Sequence, residues 1–257
     1  MKIGIIGLGN MGKAFAKCFI KAGHDVIVAT PHPEKERELK DFLTIYKENK
    51  RVAEEAEILF IAVKPHQLEE VLSDIGPSLA NHLIVSMAVG RKINWIKDKI
   101  GDLGIIRILP NTPVAIGKGV TAYTYSKEVV EPQILKFKEL MRFTGDIIEV
   151  EEEQFDVFSA IAGSLPAFLA MVIEGASDGA VHEGMKRKDS YQIIANTMIG
   201  TCELMLQEKL HPGQLKDQVT SPGGSTIEGV RILEGGSVRH SFMEAIKKTV
   251  NKNKNMG

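Results

Sequence analysis

The sequence predicts an α/β domain followed by an all-α domain, and three observations carry that prediction. Short runs rich in Ile and Val alternate with amphipathic stretches from residue 2 to about 151, as buried strands and covering helices should. A glycine-rich turn stands directly after the first of those runs. Beyond residue 153 no convincing strand recurs. The boundary is therefore expected near 152, giving domains 1–152 and 153–257.

Strands are expected over 3–7, 25–30, 58–63, 83–88, 104–110, 120–125 and 146–150. Several lack polar alternation, which implies a parallel sheet covered by helices on both faces. The intervening helices are expected over 11–22, 66–72, 94–100 and 129–144. In the second half, helices are expected over 154–161, 166–183, 188–207, 212–219, 226–234 and 238–251, with Gly and Pro at the breaks. The acidic stretch Glu149, Glu151, Glu152, Glu153 at the changeover reads as a solvated segment carrying favourable charge to a helix N-terminus. The 166–183 helix bears Phe168, Leu169, Met171, Val172, Ile173, Ala176, Ala180 and Val181, more than one apolar face. A domain of about a hundred residues has a limited interior, so a second subunit is expected to cover part of that helix, making a homodimer. Glu174 and Asp178 share one face of it and are expected to bond between helices.

Composition narrows the function. Lys and Arg number 32 against 33 Asp and Glu, a net charge of -1 that offers no field for a nucleic-acid backbone. The 44% hydrophobic and 25% charged fractions suit a globular chain and not a disordered one. Cys18 and Cys202 make no disulfide framework or zinc site, so no metal is expected and a reducing compartment fits. The opening MKIGIIGLGNMG lacks a cleavage site, and the longest apolar run, 165–173, is too short to span a bilayer. A soluble, cytoplasmic protein without a membrane partner is the expectation.

Gly7-Leu8-Gly9-Asn10-Met11-Gly12 is a GxGxxG sequence between an Ile-rich strand and a helix. Strand, motif, helix and second strand follow in the order that a Rossmann-type dinucleotide-binding domain needs. Its glycines serve the tight turn, the approach of backbone to a pyrophosphate, and the packing of helix on strand. At the end of the second strand, Val28-Ala29-Thr30-Pro31-His32-Pro33 offers no acid before Glu34. Thr30 can donate to a 2′-phosphate, with Lys35 or Arg37 to balance its charge. NADP is therefore favoured, with NAD as the alternative.

Five segments together resemble pyrroline-5-carboxylate reductases: the GxGxxG turn, Ala62-Val63-Lys64-Pro65, Leu109-Pro110-Asn111-Thr112-Pro113, Gly163-Ser164-Leu165-Pro166-Ala167, and residues 211–227, HPGQLKDQVTSPGGSTI. The resemblance runs to about Glu234. It implies NAD(P)H-dependent reduction of the cyclic imine 1-pyrroline-5-carboxylate to L-proline, in dimers through the helical domain that can assemble into decamers. It also implies that Ala62, Val63, Lys64, Pro65, Asn111, Thr112 and Pro113 flank the cofactor. Asn49 matches the spacing of a nucleotide-contacting Asn, and Gly223, Gly224, Ser225 and Thr226 would hold the substrate carboxylate. One departure is Leu165, where the family usually has glycine, a residue able to take a positive φ or a close approach.

The residues make chemical sense of the implied reaction. A glycine pair before a helix presents unpaired backbone N–H groups, a general anion site. Thr226, in the first turn, can orient an iminium over a nicotinamide. Ser225 and Glu228 also spell an S-x-x-E capping box, which would occupy the same helix end. His211, before Pro212, reads as a helix cap. Two alternatives stay open: a β-hydroxyacid or imine dehydrogenase using Lys186 or Lys188, and a non-catalytic NADP-binding protein that dimerises through its helices.

Overall fold

The structure, a computed structural model, describes residues 2–36, 39–80 and 82–255. Among these, eight strands form one sheet: β1 (Lys2–Ile6), β2 (Asp25–Ala29), β3 (Thr44–Tyr46), β4 (Ile58–Ile61), β5 (Leu83–Ser86), β6 (Gly104–Leu109), β7 (Gly119–Tyr125) and β8 (Gly145–Glu149). Their order is β3-β2-β1-β4-β5-β6-β7-β8. Helices α1 (Asn10–Lys21), α2 (Asn49–Glu55), α3 (Leu68–Ile75), α4 (Ile93–Ile100) and α5 (Glu131–Met141) connect them. The non-alternating strands bury both faces. Ile3 and Ile5 join Phe15, Phe19 and Phe60 in one core layer, while Ile6, Leu59 and Ile61 join Leu68, Leu72 and Ile96 in the other.

Two features depart from the sequence expectation. The sheet is not wholly parallel, because β7 runs antiparallel to β6. Only a short linker with a 3-10 turn (Thr112–Ile116) joins those strands, and a parallel return needs a crossover of a dozen residues or more. The α5 crossover then restores a parallel β7–β8 pair. The second departure is β3 and α2, which the pattern did not predict. β3 is a three-residue edge strand, and α2 has seven residues with only Val52 and Ala53 buried, too little to show a period.

The second half is helical as expected: α6 (Phe155–Phe158), a π turn (Ser159–Gly163), α7 (Leu165–His182), α8 (Arg187–Gln207), α9 (Pro212–Gln218), α10 (Ser225–Gly235) and α11 (Val238–Lys254). By contacts the chain divides into one unit of 1–163 with 250–257 and a second of 164–249. The second unit has almost no interior: among its residues only Ser177 and Ser190 are buried. Their hydroxyls meet at 2.5 Å, pinning α7 to α8. The helix expected to be apolar on several sides exposes Met171 by 70% and Leu206 of α8 is 71% exposed. Glu174 and Asp178 are exposed rather than buried, but Asp178 does bond between helices, to Arg187 of α8.

The expectation about membrane-length segments needs correcting. α6, the π turn and α7 join into one helical run, Glu152–His182, long and apolar enough to cross a membrane by length and composition. Exposed apolar side chains are not confined to that run, however. Ile193 and Ile199 on α8, Ile232 and Leu233 on α10, and Met243 on α11 repeat them. Faces spread over several charged helices suit helix-on-helix contact with another chain.

Candidate functional site

The GxGxxG turn forms as its glycines require. Gly9 is the N-cap of α1, with no side chain capping the helix and no acid in its first turn. A Cβ on Gly9 would meet nothing within 4 Å, leaving open space over free N–H groups. A Cβ on Gly12 would lie 2.0 Å from the Gly7 carbonyl, so the close packing of α1 on β1 excludes any side chain there. An unobstructed helix N-terminus of this kind fits a pyrophosphate.

Other sequence-predicted residues gather at the carboxyl ends of the same strands. Thr30, just past β2, is buried, and its backbone N–H bonds the Tyr46 carbonyl at the end of β3. Asn49, three residues beyond β3, opens α2 and donates to Asp74 at 3.2 Å. Acids after β2 are occupied: Glu34 lies 3.3 Å from His32, and the buried Glu36 bonds Lys13 of α1 at 2.8 Å. Lys35 ends the 3-10 turn Pro33–Lys35. Arg37 lies outside the described residues.

Ala62, Val63, Lys64 and Pro65 follow β4, where the exposed Lys64 caps a 3-10 turn through its backbone N–H to Gln67. Asn111, Thr112 and Pro113 follow β6. The Asn111 side chain is turned inward: it accepts from the Val120 N–H at 2.8 Å and donates to the Ala162 carbonyl at 3.2 Å. Cys18, beneath, is buried core with its thiol against the Val114 carbonyl, and burial pushes the thiol pKa up.

A cleft of about 830 Å³ opens at the ends of β4, β5 and β6, lined by Pro65, Val89, Gly90, Trp95, Arg107, Glu152, Phe155 and Asn253. Ligands of open α/β sheets bind outside the strand carboxyl ends. One wall is built by residues that the sequence reading missed. Arg107 of β6 is buried, stacks over Phe155 at 4.3 Å and pairs with Glu152 at 2.9 Å. Glu152 also accepts from the Ile93 N–H, so it caps α4 from across the chain. The acidic stretch thus does serve a helix N-terminus, but α4 rather than its own. A lone Arg inside the strand sequence GIIRIL was the available signal, since a buried guanidinium needs a carboxylate.

The remaining predicted residues lie in the second unit. Gly223 takes φ +70° and Gly224 is the N-cap of α10. The capping box expected of Ser225 and Glu228 does not form. No side chain caps α10, and Glu228 pairs with Arg231 at 3.0 Å instead. The N–H groups beside Ser225 and Thr226 therefore keep their capacity for an anion. His211 does cap α9, accepting from the Gly213 N–H at 3.1 Å. Leu165 needs no unusual backbone. As the first residue of α7 it is absent from the positive-φ positions, so a side chain is tolerated there.

An open helix N-terminus after a GxGxxG turn, joined to a coreless helical unit, defines a dinucleotide-binding protein that self-associates. Residues 152–256 match the family described as pyrroline-5-carboxylate reductase dimerisation, and residues 2–90 match NADP oxidoreductase coenzyme F420-dependent. The chain is 37% identical to the pyrroline-5-carboxylate reductase of Escherichia coli, covering 99% of this chain and 98% of the relative. It is 34% identical to that of Synechocystis sp., covering 100% and 98%. The crystal structure of Plasmodium falciparum pyrroline carboxylate reductase with NADP bound superposes with a TM-score of 0.91 at 30% identity, covering 100% and 98%. The chain belongs to the pyrroline-5-carboxylate reductase family.

Proposed function

We propose that this chain reduces 1-pyrroline-5-carboxylate to L-proline with NADPH, in the cytoplasm, as a dimer that can build decamers. The observation that carries this reading is the uncapped start of α10 at Gly224, in a chain whose full length matches named reductases. For function the chain divides at residue 152, with 1–152 carrying the cofactor and 153–257 the imine and the dimer contact.

Gly7, Leu8, Gly9, Asn10, Met11 and Gly12 hold the pyrophosphate, and Thr30 and Asn49 the adenosine side. Ala62, Val63, Lys64, Pro65, Asn111, Thr112 and Pro113 flank the adenosine-side ribose and the nicotinamide. NADPH is preferred over NADH because Glu34 and Glu36 are already paired, leaving a hydroxyl at the strand end for a 2′-phosphate. When bound, the cofactor supplies a hydride for the imine carbon. Gly223, Gly224, Ser225 and Thr226 hold the substrate carboxylate through the uncapped N–H groups at Ser225 and Thr226, the Gly224 N–H being donated to the Ser221 carbonyl. An alcohol is too weak an acid to protonate the ring nitrogen. Thr226 instead accepts from the N–H of the iminium form and fixes its orientation, which lowers the barrier without a proton transfer.

A steady-state assay of NADPH loss with racemic pyrroline-5-carboxylate tests this. Turnover to proline with hydroxyacids inert is expected, at a higher kcat/KM for NADPH than for NADH. Thr226→Ala should lower turnover at least about tenfold, roughly 1.4 kcal/mol, with the fold intact. Undiminished turnover in that variant removes Thr226 from the mechanism, and an inert wild-type enzyme removes the reaction.

A further inference from the structure

The family resemblance draws on two motifs far apart in the chain, Asn111-Thr112-Pro113 and Gly163-Ser164-Leu165-Pro166-Ala167, and one hydrogen bond ties the first to Ala162, the residue just before the second. In an α-helix the carbonyl of residue 162 takes its hydrogen bond from the N–H of residue 166. Residue 166 is proline, which has none. The next N–H, on Ala167, is donated to the Ser164 carbonyl at 3.0 Å. This gap falls where the π turn (Ser159–Gly163) gives way to α7. The Asn111 carboxamide fills it, with Nδ2 3.2 Å from the Ala162 oxygen.

The other end of the same carboxamide is also committed, since Oδ1 accepts from the Val120 N–H at 2.8 Å. A donor on one side and an acceptor on the other allow only one orientation of the amide. Asn111 is 9% exposed and makes no side-chain cap on its own 3-10 turn. All of its side-chain geometry is spent on holding three segments together: the end of β6, the start of β7 and the π turn.

We propose that Asn111 is a positioning residue whose carboxamide replaces the helical donor that Pro166 lacks, and so fixes the segment along the nicotinamide to the π turn. Its side chain does not bind the cofactor; the backbone around it does. The two motifs are then one device, in which the proline creates an unpaired carbonyl and the asparagine uses it as an anchor. The kinetic arm of the test rests on the reductase reading above, whereas the unfolding arm does not.

Asn111→Asp keeps the shape and the acceptor for Val120 but sets a carboxylate against the Ala162 carbonyl. Pro166→Ala returns the missing N–H. In the full-length protein, Asn111→Asp should lower the Tm by about 3 °C or more and kcat/KM for NADPH by about tenfold. Pro166→Ala alone should leave kcat/KM within about threefold. The double variant should regain at least half of the Tm loss and return the KM for NADPH toward the wild-type value. A cofactor ligand would behave differently, its raised KM persisting in the double variant, and that result overturns the proposal. So does an unchanged Tm in Asn111→Asp, or strict additivity of the two Tm changes. Should Asn111→Asp not fold, recovery of a folded protein by adding Pro166→Ala supports the proposal and no recovery overturns it.

Discussion

The two halves of this chain answer the entropy cost of folding in opposite ways. The α/β half fully buries Phe15, Phe19, Phe60 and Phe137 between a sheet and its helices, whereas α7 to α11 in the second unit bury only two serines. A helix gains most of its stability in proteins from packing an apolar face, and in the second unit that packing is shallow, with no apolar side chain buried. The first unit has a closed core of its own, whereas the apolar surface of the second suits contact with another chain.

The difference predicts how each half responds to damage. Phe60→Ala opens a cavity in the closed core and should cost about 3–5 kcal/mol, read as a fall in thermal unfolding temperature that is independent of protein concentration. Met171→Glu sets a charge on the open apolar face. It should weaken association by about 2 kcal/mol or more, roughly thirtyfold in the dimer dissociation constant. Sedimentation across a dilution series checks this, and a Tm loss that ignores concentration would break the comparison.

The smallest effect lies in the electrostatics of the α/β half. A hydrogen bond from Lys97 at 2.7 Å holds the Glu128 carboxyl at about 2, below its ordinary 4.5. A carboxylate depressed in the folded state stabilises the protein above its unfolded pKa, and that contribution disappears as pH falls through the folded one. Acid titration of stability should thus show a loss between pH 4.5 and about 2 that is smaller in Glu128→Gln. Being internal to one chain, this loss should not depend on concentration.

How much of this was legible in the sequence follows the same division. Strands such as β1 and β4 are uniformly apolar and announce a covered sheet, and the GxGxxG turn announces its ligand end. β3 and α2 were not legible because three and seven residues carry too little pattern. The Arg107–Glu152 pair was hidden by its separation of 45 residues, although the isolated Arg in an apolar strand hinted at it. At α10 the sequence pointed to a capping box, and local chemistry misled. Ser225 falls inside the helix, one place past the N-cap, so its hydroxyl and Glu228 cannot close the box. Nothing in the spacing of Asn111 and Pro166 discloses their connection, which exists only once β6 and the π turn are side by side.

The last turn of α11 carries one more consequence. Residues 250–255 return to the first unit, where Asn253 donates to the Asp156 carbonyl at 3.1 Å. The 164–249 segment is thus inserted between two parts of the first unit, so a change that unravels the last turn of α11 would also take a contact away from the α/β half.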